Sequence, residues 1–324
     1  MKLKITAVKL DFESGIHLGN REGGLEGTDN FVHSDTLYSA FFNGFRLLFG
    51  QENLKQKLQL FMENNPPFLI SSAFPYWNGN YFLPTPKNQI PGDKKAKKIM
   101  YLDSLSWSSL IRGKPLVEIL DRPSTRTIPL TSDISGYQGQ NEPWQMIDAP
   151  RVGLDRRSNH PGERYFHCGE VYYGENSGLY FLVMFYDQSF RESFYAVWRL
   201  LADEGLGGDR TVGKGHFRYP STEEFLLDLP DQANGSIVLS LYYPSESERV
   251  GFQEGYYDLL ERQGFVYSPD GRSLRRKTLS MFAEGSMFPI FPKRIGEMVD
   301  VTPSAFKTHP VYRSGMYFGV PCII

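Results

Sequence analysis

The chain has 324 residues, 40% of them hydrophobic, which is enough to bury large cores and points to two domains rather than one. Its formal net charge is −2, so a nucleic-acid surface must be a local stripe of cations and not a global field. Only Cys168 and Cys322 are present, without metal-ligand spacing, and no apolar run is long enough for a signal or membrane anchor, so a soluble, cytoplasmic protein in a reducing compartment is expected.

Residues 2–10 form the first expected strand, with Leu3, Ile5 and Ala7 on one face. A polar, glycine-rich loop follows over 15–30 and carries His17, Asn20 and Arg21. Ser34 is then a candidate N-cap for a helix over 34–49, with Leu37, Phe41 and Leu48 on one face and Gly50 at its end. Residues 68–84 read as a hairpin turning at Asn78-Gly79, and 104–111 as a shorter helix. Between them, Lys94, Lys95, Lys97 and Lys98 form a basic run that suits a solvated loop or a binding site. Residues 121–150 are rich in Pro, Gly, Ser, Asn and Gln, with no helical period. Such a length is an interdomain crossover or a projecting arm. Arg151, Arg156 and Arg157 close it, as a phosphate site or a salt-bridged hairpin edge.

The second half repeats this outline. Aromatic strands are expected over 165–173 and 179–186, then a helix in which Phe190, Phe194, Val197, Trp198 and Leu201 share one stripe. Gly205 suits its C-cap, and the glycine-rich stretch from Gly205 to Tyr219 carries Arg210, Lys214, His216 and Arg218 before a short strand over 215–219. Gly208 to Gly215 nearly spells a P-loop. The helix here precedes the loop rather than following it, and Gly215 stands where the hydroxyl residue belongs, which argues against nucleotide hydrolysis. A structural turn remains open. So does a loop whose small residues Gly208, Gly213 and Gly215 admit a polyphosphate to bare backbone and cations, and the basic content favours a nucleic-acid backbone. Further strand-like pieces lie at 236–243, 264–268, 278–282, 297–301 and 311–322. The expected class is α+β, with two ferredoxin-like halves over 1–120 and 151–324 flanking the arm at 121–150.

The opening strand and glycine loop leading into His33–Ala40, the loop from Gly205 to Phe217, the turn from Met281 to Phe288 and the closing His309–Val320 together resemble the RAMP superfamily of CRISPR proteins. Within it they are most similar to the fourth subunit of the type III-A (Csm) interference complex, of the Cas-five group. The resemblance spans nearly the whole chain and rests on the order and spacing of its motifs more than on any one of them. It implies two ferredoxin-like (RRM-like) domains, a thumb-like insertion within 84–101 or 121–150, and a non-catalytic role without cofactor or metal. The implied partners are the 5′ tag of the guide RNA, the large polymerase-like subunit, the backbone RAMP subunits, and target RNA near the tag junction. By position, His17, Asn20, Arg21, His33, Ser34, Arg151, Arg156, Arg157 and the loop residues Gly208, Arg210, Gly213, Lys214, Gly215, His216 and Arg218 are the expected RNA contacts. Relatives commonly carry more arginine or serine in this loop, and Asp209 beside phosphate calls for pairing with Arg210 or contact with the large subunit.

Two other readings compete. Some RAMP relatives cut precursor RNA without metal, and His33, with His17 and Tyr38 near it in sequence, is the candidate general acid or base. A protein scaffold without nucleic acid would explain the neutral charge and the 15% aromatic content, but leaves the basic loop unused. No Asp, His or Cys pattern converges on a metal.

Overall fold

The computed structural model describes residues 1–19, 27–88, 99–129, 142–155, 157–158, 160, 165–268, 273–290 and 293–324. Asn20, Arg21, Arg156, the lysine run, and the stretches 89–98 and 130–141 of the two thumb candidates fall outside these residues.

The chain opens with β1 (Lys2–Leu10), α1 (Ser34–Phe49) and α2 (Gln51–Met62), then β2 (Phe68–Ile70), β3 (Phe74–Trp77) and β4 (Asn80–Pro84). Next come β5 (Ile99–Asp103), α3 (Ser104–Ile111), α4 (Leu116–Leu120), β6 (Thr127–Pro129), β7 (Trp144–Val152), β8 (Tyr165–Tyr173) and β9 (Ser177–Phe185). After α5 (Arg191–Glu204) and β10 (Ser221–Asp228), the described chain continues, apart from two short 3₁₀ turns, as strand and loop: β11 (Gly235–Val238), β12 (Leu259–Arg262), β13 (Leu279–Phe282), β14 (Met287–Pro289), β15 (Gly296–Asp300), β16 (Tyr312–Met316) and β17 (Gly319–Cys322).

The largest sheet runs β10-β1-β9-β3-β4-β5-β6, with β2 also on β9, and its pairings are antiparallel. β9 is buried from Ser177 to Val183, the mark of a central strand covered on both faces. The register sets Thr6 opposite Val183 on one side of β1 and Ile5 opposite Phe225 on the other. Thus β9 and β10, from the second half, flank β1 from the first. The boundaries expected at 120 and 151 do not separate two sheets, because strand pairing over such sequence distance leaves no trace in local periodicity.

α1 and α5 pack together against this sheet. Leu37, Tyr38, Phe41, Phe42 and Phe45 of α1 and Phe194, Val197, Trp198 and Leu201 of α5 are buried. Phe68 of β2 and Phe181 of β9 meet these rings, with centroids 4.9 Å apart for Phe41–Phe68 and 4.5 Å for Phe181–Trp198. Gly44 permits the close helix approach, since a Cβ there would sit 2.9 Å from Val197 Cγ1. The main core runs on through Leu239, Met298, Met316 and Phe318, so the residues after 230 pack onto the first sheet's layer. A second cluster, Val238, Tyr242, Phe282, Phe288 and Tyr317, lies within them.

Three local expectations change. Ser34 is the first residue of α1 rather than its N-cap. The extended His33 precedes the helix, and the Ser34 hydroxyl instead accepts the Leu241 N–H at 2.9 Å. Residues 216–219 form only a bridge between Phe12 and Phe217, the strand starting at Ser221, since neighbouring bonds go to side chains and loops. Residues 264–268 likewise hold a single bridge, Phe265 to Arg275.

Candidate nucleic-acid interface

The glycine loop leaves α5 at Gly205, whose positive φ of 81° ends the helix while its N–H still reaches Leu201 O. It then doubles back: Leu206 N–H donates to Gly215 O at 2.9 Å, and Gly215 N–H to Gly15 O at 2.9 Å. Gly208 N–H donates to His17 O at 2.8 Å, clamping the loop to the segment after β1. Asp209 and Gly213, both left-handed, bracket a single 3₁₀ turn over 210–212. Gly207 is required by contact, because a Cβ there would lie 2.6 Å from His17 O.

Two of the expected cations are held by a buried carboxylate. Glu170 of β8 is 1% exposed and accepts from Lys214 Nζ at 2.6 Å, Arg151 Nη2 at 2.6 Å and Tyr172 OH at 2.7 Å. Burial pushes its carboxyl up, but the bonds from Lys214, Tyr172 and Arg151 outweigh this and hold it below the usual range. Asp209 lies 3.7 Å from Arg151 and accepts from Cys168 Sγ at 3.5 Å, so its cation is Arg151 and not Arg210. The same Asp209 and burial raise the Cys168 thiol to about 11, burial being the larger cause.

The remaining candidates divide between scaffold and surface. His17 is buried, with Nδ1 2.7 Å from Gly169 O. His33 is buried with Nδ1 2.8 Å from Glu284 and Nε2 3.8 Å from Asp29. Glu284 also accepts from the Ser72 hydroxyl, whose oxygen takes the Ser34 N–H at 2.8 Å. His33 and Ser34 therefore tie the start of α1 to the residues after 230. His216 donates its backbone N–H to Ser14 Oγ at 3.0 Å, and Arg218 pairs with Glu13 at 3.0 Å on the surface. Arg157 is exposed in the turn joining β7 to β8, where its backbone N–H donates to Asp155 Oδ1 at 2.9 Å.

Arg210 has a different setting. Its guanidinium stacks over the Tyr267 ring at 5.0 Å, on the rim of a cleft of about 300 Å³ between the glycine loop, the start of α1 and the segment after β12. Arg262, Arg276 and Arg313 line that cleft, all missed in the sequence reading. Asp35 holds two of them. Arg262 grips it with two bonds of 3.0 Å, and Arg313 Nη1 also donates to it. Burial pushes Asp35 up, yet these arginines hold it well below the usual carboxylate range. The signal available in sequence was an acidic residue in the first turn of an otherwise apolar helix face. The arginines sit some 230 to 280 residues later, out of reach of any spacing argument. Among the described residues, no group of three or more His, Cys, Asp or Glu is placed to hold a metal ion. Among them, too, no helix is long and apolar enough to cross a membrane.

Comparison with known proteins gives a consistent picture. Residues 231–322 match the family described as CRISPR Csm4 C-terminal domain. The chain is 23% identical over 349 residues to the "CRISPR system Cms protein Csm4" of Methanocaldococcus jannaschii, covering 93% of this chain and 89% of that one. It is 27% identical over 301 residues to the protein of the same name from Thermococcus onnurineus, covering 88% and 89%. Among solved structures, a Csm3–Csm4 subcomplex of the type III-A CRISPR-Cas interference complex aligns with a TM-score of 0.62 at 18% identity over 98% of this chain and 99% of that chain. A Csm1–Csm4 cassette in complex with cA4 aligns with a TM-score of 0.62 at 21% identity over 99% and 98%. The fold, mixed α/β with antiparallel sheets, is shared along the whole length.

Proposed function

We propose, from the premise that this chain belongs to the Csm4 family of type III CRISPR subunits, that it is an RNA-binding scaffold without catalysis that holds the 5′ tag of the guide RNA. The observation that carries this reading is the arginine-lined cleft beside the glycine loop. There the half-buried Arg210 lies over the exposed Tyr267 ring, and the loop's tight backbone keeps bulky side chains away. Contacts to phosphate position a strand, and stacked rings hold its bases.

The solved relatives, one with Csm1 and one with Csm3, support two protein neighbours for this chain, a large polymerase-like subunit and a backbone RAMP subunit. The strand order β10-β1-β9-β2/β3 with α1 and α5 is read as one ferredoxin-like unit. Its second and third strands are separated by a long insertion that ends in the β7–β8 ribbon. That ribbon, paired from Trp144↔Tyr173 to Val152↔Tyr165 with Val152, Tyr165 and Phe166 exposed, fits the thumb. Target RNA near the tag junction would then pass its tip. Both ring nitrogens of His33 face carboxylates, which suits a structural histidine better than a general acid or base.

The test is a native and a denaturing gel of the purified protein in EDTA, with end-labelled guide RNA carrying or lacking its tag. A tag-dependent shift of intact RNA is expected. RNA cut in EDTA by the wild type but not by His33→Ala would replace this reading with the endoribonuclease one.

A further inference from the structure

The cleft continues into a second cavity of about 210 Å³ between α1, α2 and the β15–β16 pair. The two share Asp35, Ser39, Asn43, Tyr267 and Arg276 in their walls, so a cationic end and an apolar end meet at one junction. Phe42, Leu54, Leu58, Met298 and Tyr312 line the apolar end, and Ser39 and Asn43 offer polar groups at its mouth. Tyr267, 64% exposed, stands between the two ends.

Charge at the junction is unbalanced. Asp35 already takes both Arg262 and Arg313. Arg276 spends its Nε–H on Phe265 O at 2.9 Å, and among the described residues it pairs with no carboxylate. Burial, then the Arg313 and Arg262 guanidiniums, pull Arg276 down to about 10 against the opposing attraction of Asp35. Four guanidiniums, Arg210, Arg262, Arg276 and Arg313, outnumber the two carboxylates of the cleft wall, Asp29 and Asp35, and in a half-enclosed place an anion would relieve the surplus positive charge. A ligand filling both ends must carry a flat apolar body with polar edges next to an anionic group. A nucleotide has that form, whereas an apolar peptide side chain leaves the surplus charge uncompensated.

We infer that this bipartite cleft is a single-nucleotide subsite, in which one base of a single-stranded RNA turns out of its strand into the apolar cavity and the adjoining phosphate lies on Arg276 and Arg210. The inference rests on the RNA-binding reading and adds to it a place where one nucleotide is treated unlike its neighbours. Along the remainder of the bound strand, contacts to the backbone tolerate loss of a base.

The experiment scans tag-bearing guide RNA with single abasic sites against the full-length protein and against Ser39→Trp, whose indole would plug the junction. The expected result is one position at which base removal weakens binding about tenfold. In Ser39→Trp, intact and abasic RNA should bind equally and at that weaker level. As a variant-free check, 4-thiouridine at the sensitive position should cross-link wild-type protein to the peptide containing Met298 or Tyr312. A uniform abasic profile, a penalty that survives Ser39→Trp, or a cross-link on the β7–β8 ribbon would each overturn the subsite and leave RNA binding standing. Displacement by adenosine 5′-monophosphate with no sensitive position would assign the cleft to a free nucleotide instead. Failure of the wild type to bind tagged RNA at all would remove the RNA reading and the subsite with it.

Discussion

At the scale of single residues, the cations of the glycine loop separate into two kinds that their spacing does not distinguish. Lys214 is bound to the buried Glu170, so Lys214→Ala should act mainly on stability, leaving a carboxylate that still holds Arg151. Losing one charge-assisted hydrogen bond on a carboxylate that keeps its other cation costs about 2 kcal/mol, and a thermal melt should show it. Arg210 is stacked on an exposed ring, so Arg210→Ala should leave the melt nearly unchanged and weaken RNA binding. Its salt dependence should flatten by about 0.7 log units in affinity per log unit of salt, one phosphate's share on a single strand. Equal losses of affinity with intact melts in both variants would contradict the division. Asp35 supplies a pH test. Its folded carboxyl lies below its unfolded value of about 4, so it binds fewer protons folded than unfolded. The stability it contributes is present above that value and lost as pH falls through the folded one. Asp35→Asn should therefore melt well below wild type at pH 7, with the gap narrowing steadily from about pH 5 to pH 2.

At the scale of elements, the sequence showed best what is local. The 3.6-residue stripe of α5, the β3–β4 turn at Asn78-Gly79 and the strand over 165–173 stand where periodicity and turn chemistry set them, and so does the α1 stripe at Leu37 and Phe41, whereas Leu48 near the helix end is exposed. The helix α2 escaped notice because only Phe61 in it is fully buried, which leaves a weak stripe. Glu170 was missed although alternation along β8 puts it beside Cys168 and Tyr172 on one face. A charge on an inward face was the available signal. The loop's glycines were conspicuous, yet their separate tasks depend on what the fold brings near. At Gly215, φ is +74° and an added Cβ would collide with the Leu206 carbonyl oxygen. At Gly213, φ is +82° with nothing within 4 Å. Gly213→Ala should therefore cost about 1 kcal/mol, the strain of a left-handed alanine, whereas Gly215→Ala must also move backbone and should exceed about 3 kcal/mol. Urea melts of the two variants compare them directly, and equal midpoints would show that the loop does not fold back as described.

At the scale of the molecule, the sequence divides where the fold does not. Composition changes near 121–150 suggested a seam, but β1 lies between β10 and β9, so the first sheet cannot form without residues 177–228. The part matched as a C-terminal domain, 231–322, is also bound to the first sheet's layer by buried polar contacts. Asp35 meets Arg262 and Arg313, His33 meets Glu284, the Ser34 hydroxyl takes Leu241 N–H, and Ser72 N–H reaches Leu239 O at 2.7 Å. Each of these contacts crosses the junction, and separating the parts would strip Asp35 of both arginines and Glu284 of His33 and Ser72. Such coupling makes the parts unfold together, since neither retains a satisfied interior alone. Calorimetry of the full chain should accordingly give one transition, and residues 231–324 expressed alone should lack the dispersed methyl resonances of a packed core. Two resolved transitions, with the upper one reproduced by the isolated fragment, would mean that the junction is a docking contact between independent domains. The cleft at that junction would then be free to open, whereas a single transition makes it a fixed wall against which an RNA strand must adjust.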